Sequence, residues 1–131
     1  MTTNGVQTSA RDLLSERVIG AAIEVHKHVG PGLLESAYEE CLAWELTRLG
    51  VPVERQVPLP LNYKGLALDV AYRIDMIVDG RLLLELKAVE KFEKIHEAQI
   101  LTYLKLSGIH TGLLINFNVP ALRVGIKRFV V

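Results

Sequence analysis

Hydrophobic and polar residues follow two different periods along this chain, and the change of period predicts its elements. Apolar residues recur at spacings of three and four over about 10–29 and again over 34–49, which is typical of helices that pack on one face. The Gly-Pro-Gly segment at 30–32 separates the two helices, because Gly and Pro end helical segments. From Val53 onward the helical spacing stops and shorter apolar runs indicate strands.

The second half of the chain predicts five strands and one further helix. Pro58 and Pro60 favour an edge or broken position for the first strand, and Asp79-Gly80 predicts a hairpin. The expected strands are 53–63, 66–78, 81–89, 109–117 and 123–131, and the expected helix is 92–107. The order ααβββαββ predicts an α/β (or α+β) fold, with a mixed central sheet flanked by helices. The last helix should carry the chain to a strand parallel to the one before it.

The composition fits one domain with a core. The chain has 131 residues and is 50% hydrophobic, too apolar for a disordered chain. We expect a disordered tail over 1–9 and one domain over 10–131. Lys plus Arg equals Asp plus Glu at 15 each, so the strong positive field of a non-specific nucleic-acid binder is absent. Any nucleic-acid contact must therefore be local or aided by a metal ion.

Cysteine content and apolar runs limit the remaining classes. Cys41 is the only cysteine, which excludes a disulfide within the chain and a Cys-rich zinc site. The first ten residues lack a signal-peptide pattern, and no apolar run is long enough for a membrane span. We expect a cytoplasmic protein without a membrane partner. The apolar content would suit a homodimer, but the sequence leaves the oligomeric state open.

The strand over 81–89 contains a charged pair among apolar residues. Charges in such a strand need partners. Glu85 and Lys87 are two residues apart and share one side, while Leu82, Leu84 and Leu86 point to the other side and can enter the core. A salt bridge between Lys87 and Glu85 on a solvated sheet face is the alternative to a functional site.

The hairpin register decides whether Asp75 can join Glu85. A two-residue loop, 79–80, would place Asp75 on the opposite face. A three-residue loop, 78–80, would set Asp75 opposite Leu83 and diagonal to Glu85, within reach of one shared ion. We predict the three-residue loop, because a shared metal site requires that register.

Hard oxygen ligands would then surround one position. The Asp75 and Glu85 carboxylates and the backbone carbonyl of Leu86 suit Mg²⁺ or Mn²⁺ better than zinc. Such an ion would polarise a phosphodiester and lower the pKa of a bound water. Lys87 would orient that water or stabilise charge in the transition state. The expected cofactor is therefore Mg²⁺ or Mn²⁺.

Several motifs resemble a known family. Asp75 followed by Glu-Leu-Lys at 85–87 is similar to the D…(E)xK core of the PD-(D/E)XK nuclease superfamily, although Ile stands where Pro often precedes the Asp. The segment Gly-Leu-Leu-Glu-Ser-Ala-Tyr at 32–38 resembles the name motif of the GxxExxY proteins. The segments 96–104 and 112–117 also resemble that family, so the resemblance extends over about 15–131.

This resemblance implies further site residues and an activity. It implies that Glu35 is a third acidic residue brought to the metal, and that Gln99 and Tyr103 hold the site or a substrate phosphate. The last two are four residues apart and share one helix face. The implied protein is a Mg²⁺- or Mn²⁺-dependent hydrolase of nucleic acid, with DNA as the expected substrate.

Structural alternatives to these roles stay open. Glu35 would also suit the first turn of a helix, where the helix dipole favours a carboxylate. Tyr38 lies on the apolar stripe and is expected in the core. Gln99 could be a buried amide that bonds the backbone. The whole domain could be a catalytically weak or silent binding or assembly module, and the sequence leaves open whether it is an enzyme.

Overall fold

The computed structural model of the protein describes residues 5–69 and 72–131, with side chains in the first helix from Leu13 onward. The helices are α1 (Gly5–Val29), α2 (Glu35–Arg48) and α3 (Lys94–Ser107). The strands are β1 (Val53–Pro58), β2 (Leu61–Tyr63), β3 (Leu66–Leu68), β4 (Arg73–Val78), β5 (Leu82–Lys87), β6 (Thr111–Asn116) and β7 (Ile126–Val130). A short 3₁₀ helix, Leu122–Gly125, precedes β7.

Strand β5 lies at the centre of a five-stranded mixed sheet. The strand order is β1-β4-β5-β6-β7, and β2 and β3 form a separate hairpin. Strands β5 and β6 are parallel, and the other neighbouring pairs are antiparallel. Helix α3 connects the parallel pair, because two parallel strands cannot be joined by a tight turn. The predicted mixed sheet flanked by helices is therefore confirmed.

Apolar side chains cover both faces of this sheet. One face packs against α1 and α2, and Leu82, Leu84 and Leu86 enter this core as predicted. The other face packs against α3, where Leu83 contacts a second cluster that includes Ile100. A parallel strand that is buried on both faces needs such a continuous apolar run. Because both faces are covered by apolar residues, polar side chains are found at the ends of the sheet.

The N-terminal helix begins earlier than its apolar periodicity indicates. Helix α1 starts at Gly5 and so includes 5–9, part of the expected tail. Residues 1–4 of that tail lie outside the described residues. Within the described part of the chain, no helix combines the length and the apolar character that crossing a bilayer requires.

Two predicted strands are interrupted. The first, 53–63, is divided into β1 and β2 around Leu59 and Pro60, since Pro lacks the N–H that a ladder needs. The second, 66–78, is divided into β3 and β4. The last strand begins at Ile126, because the 3₁₀ helix takes the residues before it.

The predicted register of the β4–β5 hairpin was wrong by one loop position. Val78 pairs with Leu82, so the three-residue loop is 79–81 and not 78–80. Asp79 and Gly80 both have positive φ, and the Arg81 N–H donates to the Val78 carbonyl. The Arg81 guanidinium also donates to Asp79 Oδ2 at 2.9 Å, within the turn.

Candidate active site

Asp75 and Glu85 meet at one end of the sheet. The observed register, continued by one pair, sets Asp75 directly opposite Glu85, where the predicted register had set it opposite Leu83. The two registers differ by an even number of residues, so regular alternation would put the two carboxylates on one face in either of them. The Asp75 N–H donates to Glu85 Oε2 at 2.9 Å. The two acidic residues are therefore in contact near one end of this pair of strands.

The end of β5 also binds the second carboxylate through its backbone. The Leu86 N–H donates to Asp75 Oδ2 at 2.8 Å, where a ladder bond to β4 would otherwise form. The N–H and C=O groups of one strand residue point toward the same neighbouring strand. The Leu86 carbonyl therefore lies on the side of Asp75.

The Glu85 side chain does not lie on a solvated face. It is only 4% exposed, whereas Asp75 is half-buried. Among the described residues, the ion pairs do not include one between Lys87 and Glu85. The alternative of a surface salt bridge is thus incorrect for this strand.

Helix α2 brings two glutamates toward the same end of the sheet. Glu35, its first residue, is exposed, and its Oε2 accepts the Ala88 N–H at 3.2 Å. This bond joins the start of α2 to the residue that follows β5. Glu39 lies one turn later and is buried at 7% exposure. The sequence analysis did not identify Glu39, although the spacing of four from Glu35 puts both on one helix face.

Gln56 links Glu39 to Asp75. Its amide donates to Glu39 Oε1 at 2.7 Å and makes a longer contact of 3.4 Å to Asp75 Oδ1. Arg55 donates to Glu39 Oε2 at 3.1 Å. Gln56 has a φ of 50°, a region that non-Gly residues rarely adopt, within a strand. No sequence pattern marks such a residue in advance.

Lys87, Gln99 and Tyr103 form a chain of polar contacts beside the carboxylates. Lys87 Nζ lies 3.5 Å from Gln99 Oε1, and the Gln99 amide donates to the Tyr103 hydroxyl at 3.1 Å. Within the described part of the chain, the amide contacts two side chains and no backbone group, unlike the buried-amide alternative. Tyr38 is a core residue, as expected, and its ring stacks on Phe117 with centroids 4.3 Å apart.

Burial and neighbouring negative charge raise the pKa values of both carboxyl groups. Burial, and to a smaller extent the charge of Asp75, raises the pKa of Glu85 to about 8. Burial also raises the pKa of Asp75, and the charge of Glu39 acts in the same direction. The Tyr103 pKa is raised by burial and by the nearby Glu85. Without a cation, the site therefore favours a proton on the acidic pair near neutral pH.

The donor set fits a hard divalent cation, but it is not pre-assembled around one. Among the side chains that the structure describes, no three His, Cys, Asp or Glu groups are arranged to hold a metal ion. Each of three carboxylates uses one oxygen for a backbone N–H. Glu85 uses Oε2, which leaves Oε1 for a further ligand. Mg²⁺ and Mn²⁺ prefer oxygen ligands that carry negative charge. The residues here are of that chemical type, so they fit such an ion.

The fold and this end of the sheet define a nuclease-like α/β domain. A sequence model of the PD-(D/E)XK nuclease superfamily matches residues 12–129, nearly the whole chain. The chain therefore belongs to the PD-(D/E)XK nuclease superfamily, whose nucleases generally use divalent metal ions. Neither the comparison with curated proteins nor the comparison with solved structures gives a match.

Proposed function

We propose that this domain is a Mg²⁺- or Mn²⁺-dependent nuclease that hydrolyses phosphodiester bonds of DNA. The observation that carries the proposal is the contact between Asp75 and Glu85 at the end of β5. Two acidic groups that are buried together resist ionisation, and a divalent cation is the ligand that would relieve their repulsion.

Four groups of the chain would hold the ion. They are the carboxylates of Asp75, Glu85 and Glu35 and the backbone carbonyl of Leu86. All are hard oxygen donors, and the Leu86 carbonyl lies beside Asp75. A bound divalent cation would neutralise phosphate charge and lower the pKa of a water molecule.

The positively charged side chain of Lys87 would act next to these ligands. Lys87 follows the acidic pair on the same face of β5 and contacts Gln99. An ammonium group there would orient the attacking water, or stabilise the negative charge that develops on the phosphate oxygens. Gln99 and Tyr103 would position Lys87 and the substrate phosphate through their hydrogen-bond chain.

One observation favours the second candidate, a catalytically weak or silent binding or assembly module. The carboxylates of Asp75 and Glu85 are already bonded to backbone N–H groups, and no three-ligand arrangement is present among the described side chains. Such bonds stabilise the end of the sheet whether or not an ion binds. Activity and binding must therefore be measured separately.

The experiment compares Lys87→Ala with Lys27→Ala, which removes an exposed lysine from helix α1. Purified proteins are incubated with single-stranded DNA, duplex DNA and RNA, in Mg²⁺, in Mn²⁺ and in EDTA. We expect metal-dependent DNA cleavage that Lys87→Ala abolishes and Lys27→Ala retains. The same background cleavage in all three proteins would support the silent module.

Three finer expectations remain predictions. The motif at 32–38 supports membership of the GxxExxY group within the superfamily. A homodimer would enlarge the nucleic-acid footprint of a domain this small, and sedimentation analysis would measure it. A cytoplasmic location is the third, and localisation of a tagged protein would test it.

A further inference from the structure

A small apolar cavity lies beside the proposed active site, between α3 and the residues that precede β4. Its volume is about 260 Å³, below the usual range of pockets for drug-sized ligands. Leu61, Ile95 and Leu106 contribute apolar walls, and the ring of Tyr72 forms another wall. The size suits a ligand about as large as one nucleobase.

The walls of this cavity expose apolar surface that has no partner among the residues that the structure describes. Ile95 is 67% exposed, Tyr72 is 44% exposed and Leu106 is 41% exposed. Single exposed apolar residues are ordinary, but a group of them around one concave space indicates a ligand with an apolar face. A nucleobase has such a face, and tyrosine rings are common platforms for base stacking.

The cavity shares residues with the proposed active site. Gln99 and Tyr103 line it, and Gln99 also contacts Lys87. The shared amide and hydroxyl, together with Thr102, supply polar groups to a cavity whose other walls are mostly apolar. A ligand in this cavity would therefore be separated only by Gln99 from Lys87, which is proposed to act on a phosphate.

We propose that the cavity binds one unstacked base of a single-stranded segment, with Tyr72 as the stacking residue and Gln99 as a hydrogen-bond partner. This inference rests on the proposed nuclease function and specifies its substrate. A base inside a duplex is covered on both faces, so only single-stranded, frayed or flipped nucleotides can enter. The preferred substrate is accordingly single-stranded DNA or a frayed DNA end.

Binding is tested apart from cleavage, in the Lys87→Ala background. The probe is a single-stranded oligonucleotide that contains 2-aminopurine, whose fluorescence falls when it stacks on an aromatic ring. We expect Tyr72→Ala to weaken binding about tenfold or more and to abolish the quenching at one position of the probe. Tyr72→Phe should retain both, because the ring remains.

Trp44→Ala is the matched control, because Trp44 is an exposed aromatic residue on α2, in a different cavity from Tyr72. It should leave affinity and quenching unchanged. A blunt duplex of the same sequence should bind with no dependence on Tyr72. Equal affinity of the Tyr72→Ala protein and its parent for the single strand would overturn the inference, and so would a failure of every oligonucleotide to bind.

The two proposals fail in different ways. If wild-type protein cleaves DNA but Tyr72→Ala changes neither affinity nor quenching, the base cavity is wrong and the nuclease stands. If wild-type protein cleaves nothing but Tyr72→Ala weakens single-strand binding, the base cavity stands and the nuclease proposal is wrong.

Discussion

The backbone N–H of Asp75 donates to Glu85 Oε2 at 2.9 Å, so two acidic residues from neighbouring strands meet at one point. This contact orients the Glu85 carboxylate, and the Leu86 N–H orients the carboxylate of Asp75. The pKa of each is raised chiefly by burial, and the charge of Asp75 adds to the shift of Glu85. A domain that retains such a pair gives up stability at neutral pH, which is common where a site must bind a cation.

Replacement of Glu85 by Gln should separate stability from activity. Glu85→Gln keeps the oxygen that accepts the Asp75 N–H and adds an amide that can donate to the Asp75 carboxylate. We expect metal-dependent cleavage to fall at least about 100-fold, because a direct metal ligand should matter no less than its supporting residues. In chelator at pH 8, the midpoint of thermal unfolding should rise, since the like-charge repulsion is gone.

Glu90→Gln is a suitable control for this comparison, because Glu90 is exposed in the turn after β5. It should change neither the unfolding midpoint nor cleavage by more than a small factor. A Glu85→Gln protein that cleaves DNA as fast as wild type would contradict the ligand role.

The metal-free protein should lose stability as the pH rises from about 4.5 to 8. The pKa of Glu85 is about 8 in the folded protein and 4.5 without perturbation, so the folded state binds more protons in this window. The free energy of unfolding then falls with pH, by at most about 1.4 kcal/mol per pH unit from this group. Urea unfolding in EDTA at several pH values measures the slope.

The informative quantity is the difference between wild type and Glu85→Gln, because other groups titrate alike in both proteins. The two should be equally stable near pH 4, and the variant should gain on wild type up to pH 8. Parallel curves across the window would show that Glu85 titrates normally.

Divalent cations should stabilise the wild-type protein at pH 8. An ion that binds only the folded state adds about 1.4 kcal/mol of stability at a tenfold excess over its dissociation constant. We expect Mg²⁺ or Mn²⁺ to raise the unfolding midpoint of wild type and to leave Asp75→Asn unchanged. Monovalent salt at matched ionic strength is the control. An equal shift in both proteins would indicate binding elsewhere.

Much of this fold could be predicted from the sequence, because its apolar periods are strong. The parallel pairing of β5 and β6 follows from the helical segment between two apolar runs, and Leu82, Leu84 and Leu86 enter the core as alternation requires. The hairpin loop was misplaced by one residue. In the observed loop Arg81 donates to Asp79 within the turn, a contact that the hydrophobic pattern does not indicate.

Some residues of the candidate site could likewise be predicted from the sequence, and others could not. Glu85 and Lys87 stand out because charges interrupt an apolar strand. Glu39 and Gln56 do not, since their places depend on how α2 packs beside β1 and on an unusual φ at Gln56. Tertiary packing, and not local sequence, brings these two residues to the site.

Asn116 should be a stability residue that supports the site. Its amide donates to the Val89 carbonyl at 2.8 Å, and its Oδ1 accepts the N–H groups of Val89 and Asn118. Asn116→Leu would leave these backbone groups unpaired around a side chain that is 2% exposed. We expect the free energy of unfolding to fall by about 2–3 kcal/mol, measured in urea. Asn118→Ala, on an exposed side chain, should cost far less.

Gln99 should act on the rate through Lys87. Lys87 Nζ and Gln99 Oε1 are 3.5 Å apart, so Gln99→Ala removes the group that restrains the ammonium. We expect kcat on a DNA substrate to fall about 10- to 100-fold with a smaller change in KM, as for residues that orient a catalytic group. Tyr103→Phe, which keeps the ring and loses only the hydroxyl, should have a weaker effect in the same direction.

Lys105→Ala is the control for this series, because Lys105 is exposed on α3. If Gln99→Ala raises KM and leaves kcat unchanged, then Gln99 serves only the base cavity and does not position Lys87.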